Sequence, residues 1–121
     1  MNILKMIKSF GFARSGFIDL LKSENNVQFH FLATILVLVF GFWLDVSRLE
    51  WVVLIVQIGL VFSAEAFNTA LEKLCDVVSS DWDEAIGRVK DISAAGVLVI
   101  AVQAVMVAIL IFGNRLLIAF F

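Results

Sequence analysis

Residues 51–77 read WVVLIVQIGLVFSAEAFNTALEKLCDV, and the chemical character of this segment changes halfway along its length. Its first fourteen positions, Trp51 to Ala64, carry no charge, whereas the remainder contains acidic residues, an asparagine and a lysine. Helix-forming residues with a rhythm of three and four positions predict one continuous helix. We therefore interpret the segment as a membrane helix whose second half carries polar groups.

Two further uncharged segments flank this helix. Asp, Glu, Lys and Arg are absent from twenty positions at 25–44 and from twenty-three at 92–114. About 20 apolar residues allow a helix to cross a hydrocarbon core of about 30 Å. We therefore predict an all-α integral membrane protein, with one domain over residues 1–121 and membrane-spanning helices at 27–44, 51–77 and 92–112.

The composition agrees with a membrane protein and excludes several other classes. Of the 121 residues, 62% are hydrophobic, whereas a soluble domain is roughly 45–50% apolar. The single cysteine, Cys75, excludes a secreted disulfide scaffold, and the high hydrophobicity excludes a disordered chain. Uncharged runs of twenty residues do not fit the alternating strands of a β-barrel.

The segments outside the spans have distinct characters. Residues 3–22 place apolar side chains on one helical stripe and mostly charged ones opposite, which predicts an amphipathic helix in the membrane interface, interrupted near Gly11 or Gly16. A cleaved signal peptide is not expected, because a compact apolar run and a cleavage site are missing. Residues 45–50 are expected to form a tight external turn, and residues 78–91 a charged loop.

Basic residues are distributed unevenly between the two sides of the predicted membrane domain. Seven of the nine would lie on the side of the N-terminus and of loop 78–91. Because lysine and arginine favour the cytoplasmic side, we predict that the N-terminus and this loop are cytoplasmic. The seven are Lys5, Lys8, Arg14, Lys22, Lys73, Arg88 and Lys90, and the other two are Arg48 and Arg115.

An acidic line runs along the second half of the middle helix. Glu65, Asn68, Glu72 and Asp76 are separated by three, four and four positions, which places them on one helical face. Glu65 directly follows the uncharged run, so it lies within or at the edge of the hydrocarbon. A carboxylate is costly there and is a functional candidate. The alternative interpretation is a polar seam that joins helices in an oligomer.

Three further charged residues lie on the same predicted side of the membrane. Glu24 precedes the first span, and carboxylates from two helices can share Mg²⁺, although a lone Glu24 is more often a solvated residue at a helix start. Lys90 and Asp91 precede the third span, where a lysine can meet a phosphate and an aspartate can orient the lysine or a nucleotide. The glycine-rich nucleotide motifs are absent, so a nucleotide site would be built from such scattered groups.

The string EAFNTALEKLCD at 65–76, followed by KDISAAGVLVIA at 90–101, resembles the signature of the small bacterial integral-membrane diacylglycerol kinases. That family includes the undecaprenol kinases, and the resemblance covers about residues 5–112. Its pattern Glu-x-x-Asn-[Ser/Thr]-Ala-[Ile/Leu]-Glu-x-x-x-Asp is matched from Glu65 to Asp76, and its Lys-Asp pair by Lys90 and Asp91.

The resemblance implies transfer of the γ-phosphate of MgATP directly to the hydroxyl of a membrane lipid, in the inner membrane of a bacterium. Glu65 matches the catalytic base, and Glu24 and Glu72 match the Mg²⁺ ligands. The family fold is a homotrimer of three-span subunits, with sites shared between subunits. The implied ATP contacts are Lys5, Glu24, Asn68, Glu72, Asp76, Asp81, Trp82, Asp83, Lys90 and Asp91, and the implied lipid contacts are Lys5, Glu65 and Ala94.

The chain departs from the family pattern at Asp81-Trp82-Asp83, where many members have Glu-Tyr-His. A carboxylate therefore replaces an imidazole near the nucleotide, while Trp82 can still stack on a base. His30 resembles a position of the undecaprenol-kinase branch, although a histidine there is more often a helix-packing residue. Both diacylglycerol and undecaprenol stay open as acceptors.

Two other classes of function remain open from the residues. A small proton-coupled transporter would need only the intramembrane Glu65, but it would not explain the charged groups gathered at one membrane face. A structural membrane oligomer would use the acidic line for assembly. No nucleic-acid partner is expected under any of these hypotheses.

Overall fold

The computed structural model describes residues 1–121 and consists of four helices without any strand. Three of them, all except the first, are long and apolar enough to cross a membrane. The prediction of an all-α membrane protein with three spanning helices is therefore confirmed. The helices are α1 (Ile3–Ser23), α2 (Asn25–Trp43), α3 (Arg48–Val78) and α4 (Glu84–Phe120).

Helix α1 is continuous through Gly11 and Gly16, so the expected interruption is wrong. None of its residues is buried, as suits a helix whose apolar stripe faces lipid rather than a protein core. The Phe17 ring contacts Phe62 of α3 edge-on, with ring centroids 5.8 Å apart. Helix α1 therefore lies against the three-helix body near its C-terminal end, where Ile18, Leu20 and Leu21 are half-buried, while its apolar side chains from Ile3 to Phe12 remain exposed.

A single extended residue, Glu24, separates α1 from α2. The side-chain amide of Gln28 in the first turn of α2 donates hydrogen bonds to the carbonyl oxygens of Leu21 and Lys22, at 2.9 and 3.3 Å. These bonds satisfy carbonyl groups that have no partner within the last turn of α1. The surface helix is therefore closely coupled to the first spanning helix.

The turn between α2 and α3 is held by local chemistry. Ser47 and Glu50 form a reciprocal capping box that begins α3 at Arg48, three residues before the expected start. Asp45 adopts a positive φ of 52°, a conformation that aspartate tolerates better than most residues. A Cβ at Gly41 would overlap the Trp51 indole, so the close approach of α2 and α3 requires glycine there.

Helices α3 and α4 are joined by an apolar cluster near the turn, formed by Val46, Leu54 and Ile111. Only 11 of the 121 residues are buried, and Ile111 is the only buried residue of α4. Most apolar side chains therefore face outward. Such a surface is stable when lipid or another protein chain covers it.

The connection between α3 and α4 is shorter than the loop expected at 78–91. Helix α3 extends to Val78 and α4 begins at Glu84, because Asp83 caps α4 by accepting hydrogen bonds from the backbone of Ala85 and Ile86, at 2.8 and 3.2 Å. Helix α4 has 37 residues and is about 55 Å long at about 1.5 Å per residue. It exceeds the hydrocarbon thickness, so its charged first turns and Arg115 lie outside the core.

Candidate active site on the polar half of α3

The acidic line of α3 faces the interior of the helix bundle at its apolar end. Glu65 is 2% exposed, Asn68 9% and Thr69 4%. Glu72 is half-buried and Asp76 is exposed. The line thus runs from a buried carboxylate to an accessible one, in the direction expected for a path from the hydrocarbon to the aqueous boundary.

Glu65 meets His30 of α2. The His30 Nε2 atom lies 3.1 Å from Glu65 Oε1, and the side chains are 17% and 3% exposed. An ionised carboxylate only accepts hydrogen bonds, so Nε2 is the donor in that state. This bond gives the buried carboxylate a polar partner, without which its burial would be strongly unfavourable.

One turn further along, Asn68 and Glu72 form a second polar pair. The Asn68 side-chain nitrogen donates to Glu72 Oε1 at 3.3 Å. The Asn68 amide oxygen is buried and has no hydrogen-bond partner. An unpaired buried acceptor costs roughly 1–3 kcal/mol, and oxygen atoms are the ligands that Mg²⁺ prefers. The donor set at Asn68 and Glu72 therefore fits a magnesium ion or a donor group of a substrate.

Lys90 at the start of α4 is joined to Asp76 at the end of α3. Its ammonium nitrogen donates to Asp76 Oδ1 at 2.6 Å. This hydrogen bond raises the pKa of Lys90 above its ordinary value, and the residue stays a cation. The sequence suggested that Asp91 orients either Lys90 or a nucleotide. The structure places Asp76 rather than Asp91 against Lys90 and leaves Asp91 exposed, so a contact of Asp91 with a nucleotide stays a prediction.

Glu24 lies at the junction of α1 and α2, half-buried, and its side chain makes no capping hydrogen bond to α2. No group of three or more His, Cys, Asp and Glu side chains comes together in a way that could hold a metal ion. The shared use of Glu24 and Glu72 as metal ligands therefore stays a prediction.

The remaining sequence-predicted residues are on the surface of the chain. Lys5 is exposed on α1 and Ala94 on α4. In the short connection before α4, Asp81 and Trp82 are exposed, whereas the Asp83 carboxylate is engaged in capping α4. Asp83 thus has a structural partner, while Trp82, 87% exposed, is free to stack on a flat ring.

Comparison with known proteins identifies the family. Residues 11–112 match the family model described as prokaryotic diacylglycerol kinase. The chain belongs to this family. The resemblance drawn from the patterns at 65–76 and 90–101 is thereby confirmed, and the match covers the surface helix from Gly11 onward together with most of all three spans.

Individual members of the prokaryotic diacylglycerol kinase family match over most of their own length. An undecaprenol kinase from Bacillus subtilis (strain 168) is 35% identical over 112 residues, which cover 93% of this chain and 91% of the relative. A diacylglycerol kinase from Escherichia coli (strain K12) is 32% identical over 102 residues, 84% of each chain. A diacylglycerol kinase from Haemophilus influenzae (strain ATCC 51907 / DSM 11121 / KW20 / Rd) is 28% identical over 99 residues, which cover 81% of this chain and 83% of the relative.

Sequence reasoning missed the contact of His30 with Glu65. A signal was present, since His30 is a polar residue in an otherwise uncharged span and a polar side chain there needs a partner. The same reasoning applies to Gln57 in α3, which is buried with its amide oxygen unpartnered. Helix periodicity alone does not pair residues on different helices, so the identity of the partner had to come from the structure.

Proposed function

We propose that this protein transfers the γ-phosphate of MgATP directly to the hydroxyl of a membrane lipid, at the cytoplasmic face of a bacterial inner membrane. Family membership makes it a lipid kinase. The proposal of direct transfer from MgATP rests on the burial of Glu65. Its carboxylate is 2% exposed and lies at the boundary between the uncharged and polar halves of α3. A lipid hydroxyl lies at the headgroup level, close to this boundary.

In this proposal Glu65 is the general base that accepts the proton of the lipid hydroxyl. The hydroxyl oxygen bonds to the γ-phosphorus of ATP while the bond from that phosphorus to the β,γ-bridging oxygen breaks, and ADP leaves. Phosphoryl transfer needs little covalent help from the protein beyond positioning and electrostatic stabilisation. A base must therefore be placed at the nucleophile and cationic groups at the phosphates. The buried Glu65 and the accessible Lys90, at opposite ends of the acidic line, are suited to these two tasks.

Glu24 and Glu72 are the proposed Mg²⁺ ligands, and the unpartnered amide oxygen of Asn68 is a further oxygen donor beside Glu72. When bound, Mg²⁺ neutralises charge on the phosphates of ATP. Lys90, held by Asp76, presents its ammonium group to the phosphates, and Asp91 lies beside it. Lys5, Trp82 and the residues flanking Trp82 complete the proposed nucleotide contacts, and Ala94 is a proposed lipid contact.

The family resemblance also supports a homotrimer with sites shared between subunits. Glu24 and Glu72 lie on different helices. In such an assembly, the Glu24 that shares a metal ion with Glu72 comes either from the same subunit or from a neighbouring subunit. Relatives named for both diacylglycerol and undecaprenol match at similar identity, 32% and 35%. Both lipids are therefore acceptors to be tested.

The test is a transfer assay with the full chain purified into phospholipid vesicles. Radiolabelled γ-phosphate ATP and Mg²⁺ are supplied with diacylglycerol in one arm and undecaprenol in the other. We expect labelled lipid phosphate in at least one arm, and the ratio of the two rates assigns the acceptor. Absence of labelled lipid in both arms overturns the proposal, and solute uptake driven by a proton gradient in that sample would favour the transporter hypothesis.

A further inference from the structure

We propose that His30 is a positioning residue for Glu65, which holds Glu65 Oε1 so that the second carboxylate oxygen is left to accept the proton of the lipid hydroxyl. This inference rests on the proposed function and extends it to a residue outside the acidic line. Its basis is the hydrogen bond of 3.1 Å that joins α2 to α3 at the buried end of that line.

Glu65 has no alternative partner of comparable strength within the chain. Three ion pairs are present, and the other two are Lys90 with Asp76 and Arg115 with Glu50. The hydrogen bond from His30 is the only one that the Glu65 side chain makes. If the imidazole is removed, the carboxylate therefore loses its partner without compensation from a nearby cation.

The contact also selects one orientation of the carboxylate. The terminal torsion of a glutamate side chain is broad and roughly two-fold, so an unheld Glu65 would present either oxygen over a range of angles. A hydrogen bond to Oε1 fixes the plane of the group and directs Oε2 away from the imidazole. General-base catalysis depends on such geometry, because the base must lie within hydrogen-bond reach of the proton that it removes.

His30 is itself held in place by its surroundings. Its ring lines a mostly apolar cavity between α2, α3 and α4, and its backbone carbonyl accepts a hydrogen bond of 2.7 Å from the Thr34 hydroxyl. Thr34 and Gln57 are the other polar residues of that cavity. With the Thr34 hydroxyl engaged by the backbone, the main polar contact of the imidazole is Glu65.

The experiment compares His30→Leu, which removes the donor, with His30→Gln, whose amide nitrogen can still donate to Glu65. We expect His30→Leu to lower kcat by about ten- to a hundredfold, with the KM for MgATP changed less than about twofold because the nucleotide contacts lie elsewhere. His30→Gln should recover a large part of kcat. Thr34→Ser is the matched control, since it alters the same cavity one turn away, keeps the hydroxyl that bonds to the His30 carbonyl and does not touch Glu65, and its kcat should equal that of the wild type.

A double variant separates positioning from packing. In a Glu65→Gln background the base is already absent, so adding His30→Leu should not lower the residual kcat further. If His30→Leu fails to fold, His30→Gln is compared with His30→Asn, which carries the same amide on a side chain too short to reach Glu65. The His30→Gln enzyme should then have the higher kcat.

The outcomes distinguish this inference from the proposed function. A wild-type protein that labels no lipid overturns both. An active wild type with an unchanged kcat in His30→Leu overturns the role of His30 alone, as does a His30→Gln enzyme no better than His30→Leu or His30→Asn. A further loss in the double variant would assign His30 to packing, and it would also overturn the positioning role.

Discussion

The Lys90 ammonium nitrogen lies 2.6 Å from Asp76 Oδ1, and this hydrogen bond joins the first turns of α4 to the last turns of α3. The two side chains are 38% and 65% exposed, so the bond contributes little to folding. Its consequence is geometric. It holds one cation at the aqueous end of the acidic line, where the proposed phosphate contacts are required.

Replacing Asp76 with asparagine should therefore affect the nucleotide more than the fold. In Asp76→Asn we expect the KM for MgATP to rise by about two- to fivefold, because an exposed charge pair gives only modest orientation, with the midpoint of thermal unfolding unchanged. Steady-state kinetics with varied MgATP measure the effect. Glu84→Gln, an acidic residue in the first turn of α4, is the control, and an unaltered KM in Asp76→Asn would contradict the role of this pair.

Glu65→Gln tests the proposed base with almost no change of shape. Loss of general-base catalysis should reduce kcat by about a hundredfold or more, while ATP binding and the elution volume of the assembled protein stay the same. Substantial remaining turnover would remove Glu65 as the base. A change of elution volume with normal turnover would instead favour the use of the acidic line in assembly.

The proposed metal ligands predict a change in Mg²⁺ dependence. Glu24→Ala and Glu72→Ala should each raise the Mg²⁺ concentration needed for half-maximal activity, because each loses one carboxylate ligand, and chelation of Mg²⁺ should abolish turnover. Activity titrated against Mg²⁺ at fixed ATP provides the measurement. If the Mg²⁺ curves of both variants coincide with that of the wild type, the ligand assignment is wrong.

The pair of Glu50 and Arg115 lies outside the hydrocarbon, at the end of the molecule opposite Lys90, and predicts a pH effect on stability. The hydrogen bond from Arg115 lowers the pKa of Glu50 from 4.5 to about 2. A lowered folded-state pKa gives stability that is present above about pH 4.5 and is lost as the pH falls toward 2.

Thermal unfolding of the wild type and of Glu50→Gln across this pH range measures that contribution. The wild type should unfold at the higher temperature near neutral pH, and the difference should shrink as the pH falls. Turnover at neutral pH should be similar in both proteins. A difference in unfolding temperature that does not depend on pH would contradict the assignment.

Gly41 packs against the Trp51 indole, and we expect that position 41 does not accept a larger residue. Because a Cβ at Gly41 would overlap the indole, Gly41→Ala should destabilise the fold by about 1–3 kcal/mol. Gly113→Ala is the matched control, since a Cβ there meets no atom within 4 Å. Thermal unfolding of the two variants in the same vesicles provides the comparison, and equal stability would contradict the packing argument.

The spans and the acidic face were predictable from the sequence because both depend on residues close together in one helix. Uncharged runs mark the hydrocarbon, and the spacing from Glu65 to Asp76 marks one face of α3. The capping residues that begin α3 and α4 were missed, although the sequence carries their signals: Ser47 precedes Glu50 by three positions, and Asp83 directly precedes Glu84.

The pairings across helices were not predictable in the same way. His30 and Glu65 are 35 residues apart, and their contact depends on how α2 rotates and shifts against α3. Lys90 likewise bonds Asp76 rather than its chain neighbour because α3 and α4 are brought together by the short connection after Val78. The packing of the helices determines which residues on different helices come into contact. The periodicity within a single helix does not encode that packing.

The length of α4 links the candidate active site to the thickness of the bilayer. Lys90 and Arg115 lie on this one helix, 25 residues apart, a separation of about 38 Å. Both charges avoid the hydrocarbon only where it is thinner than this distance, and a core of about 30 Å leaves a small margin. A thicker bilayer would draw one of them inward or thin the lipid around the protein, so the depth of Lys90 relative to the lipid headgroups follows membrane thickness.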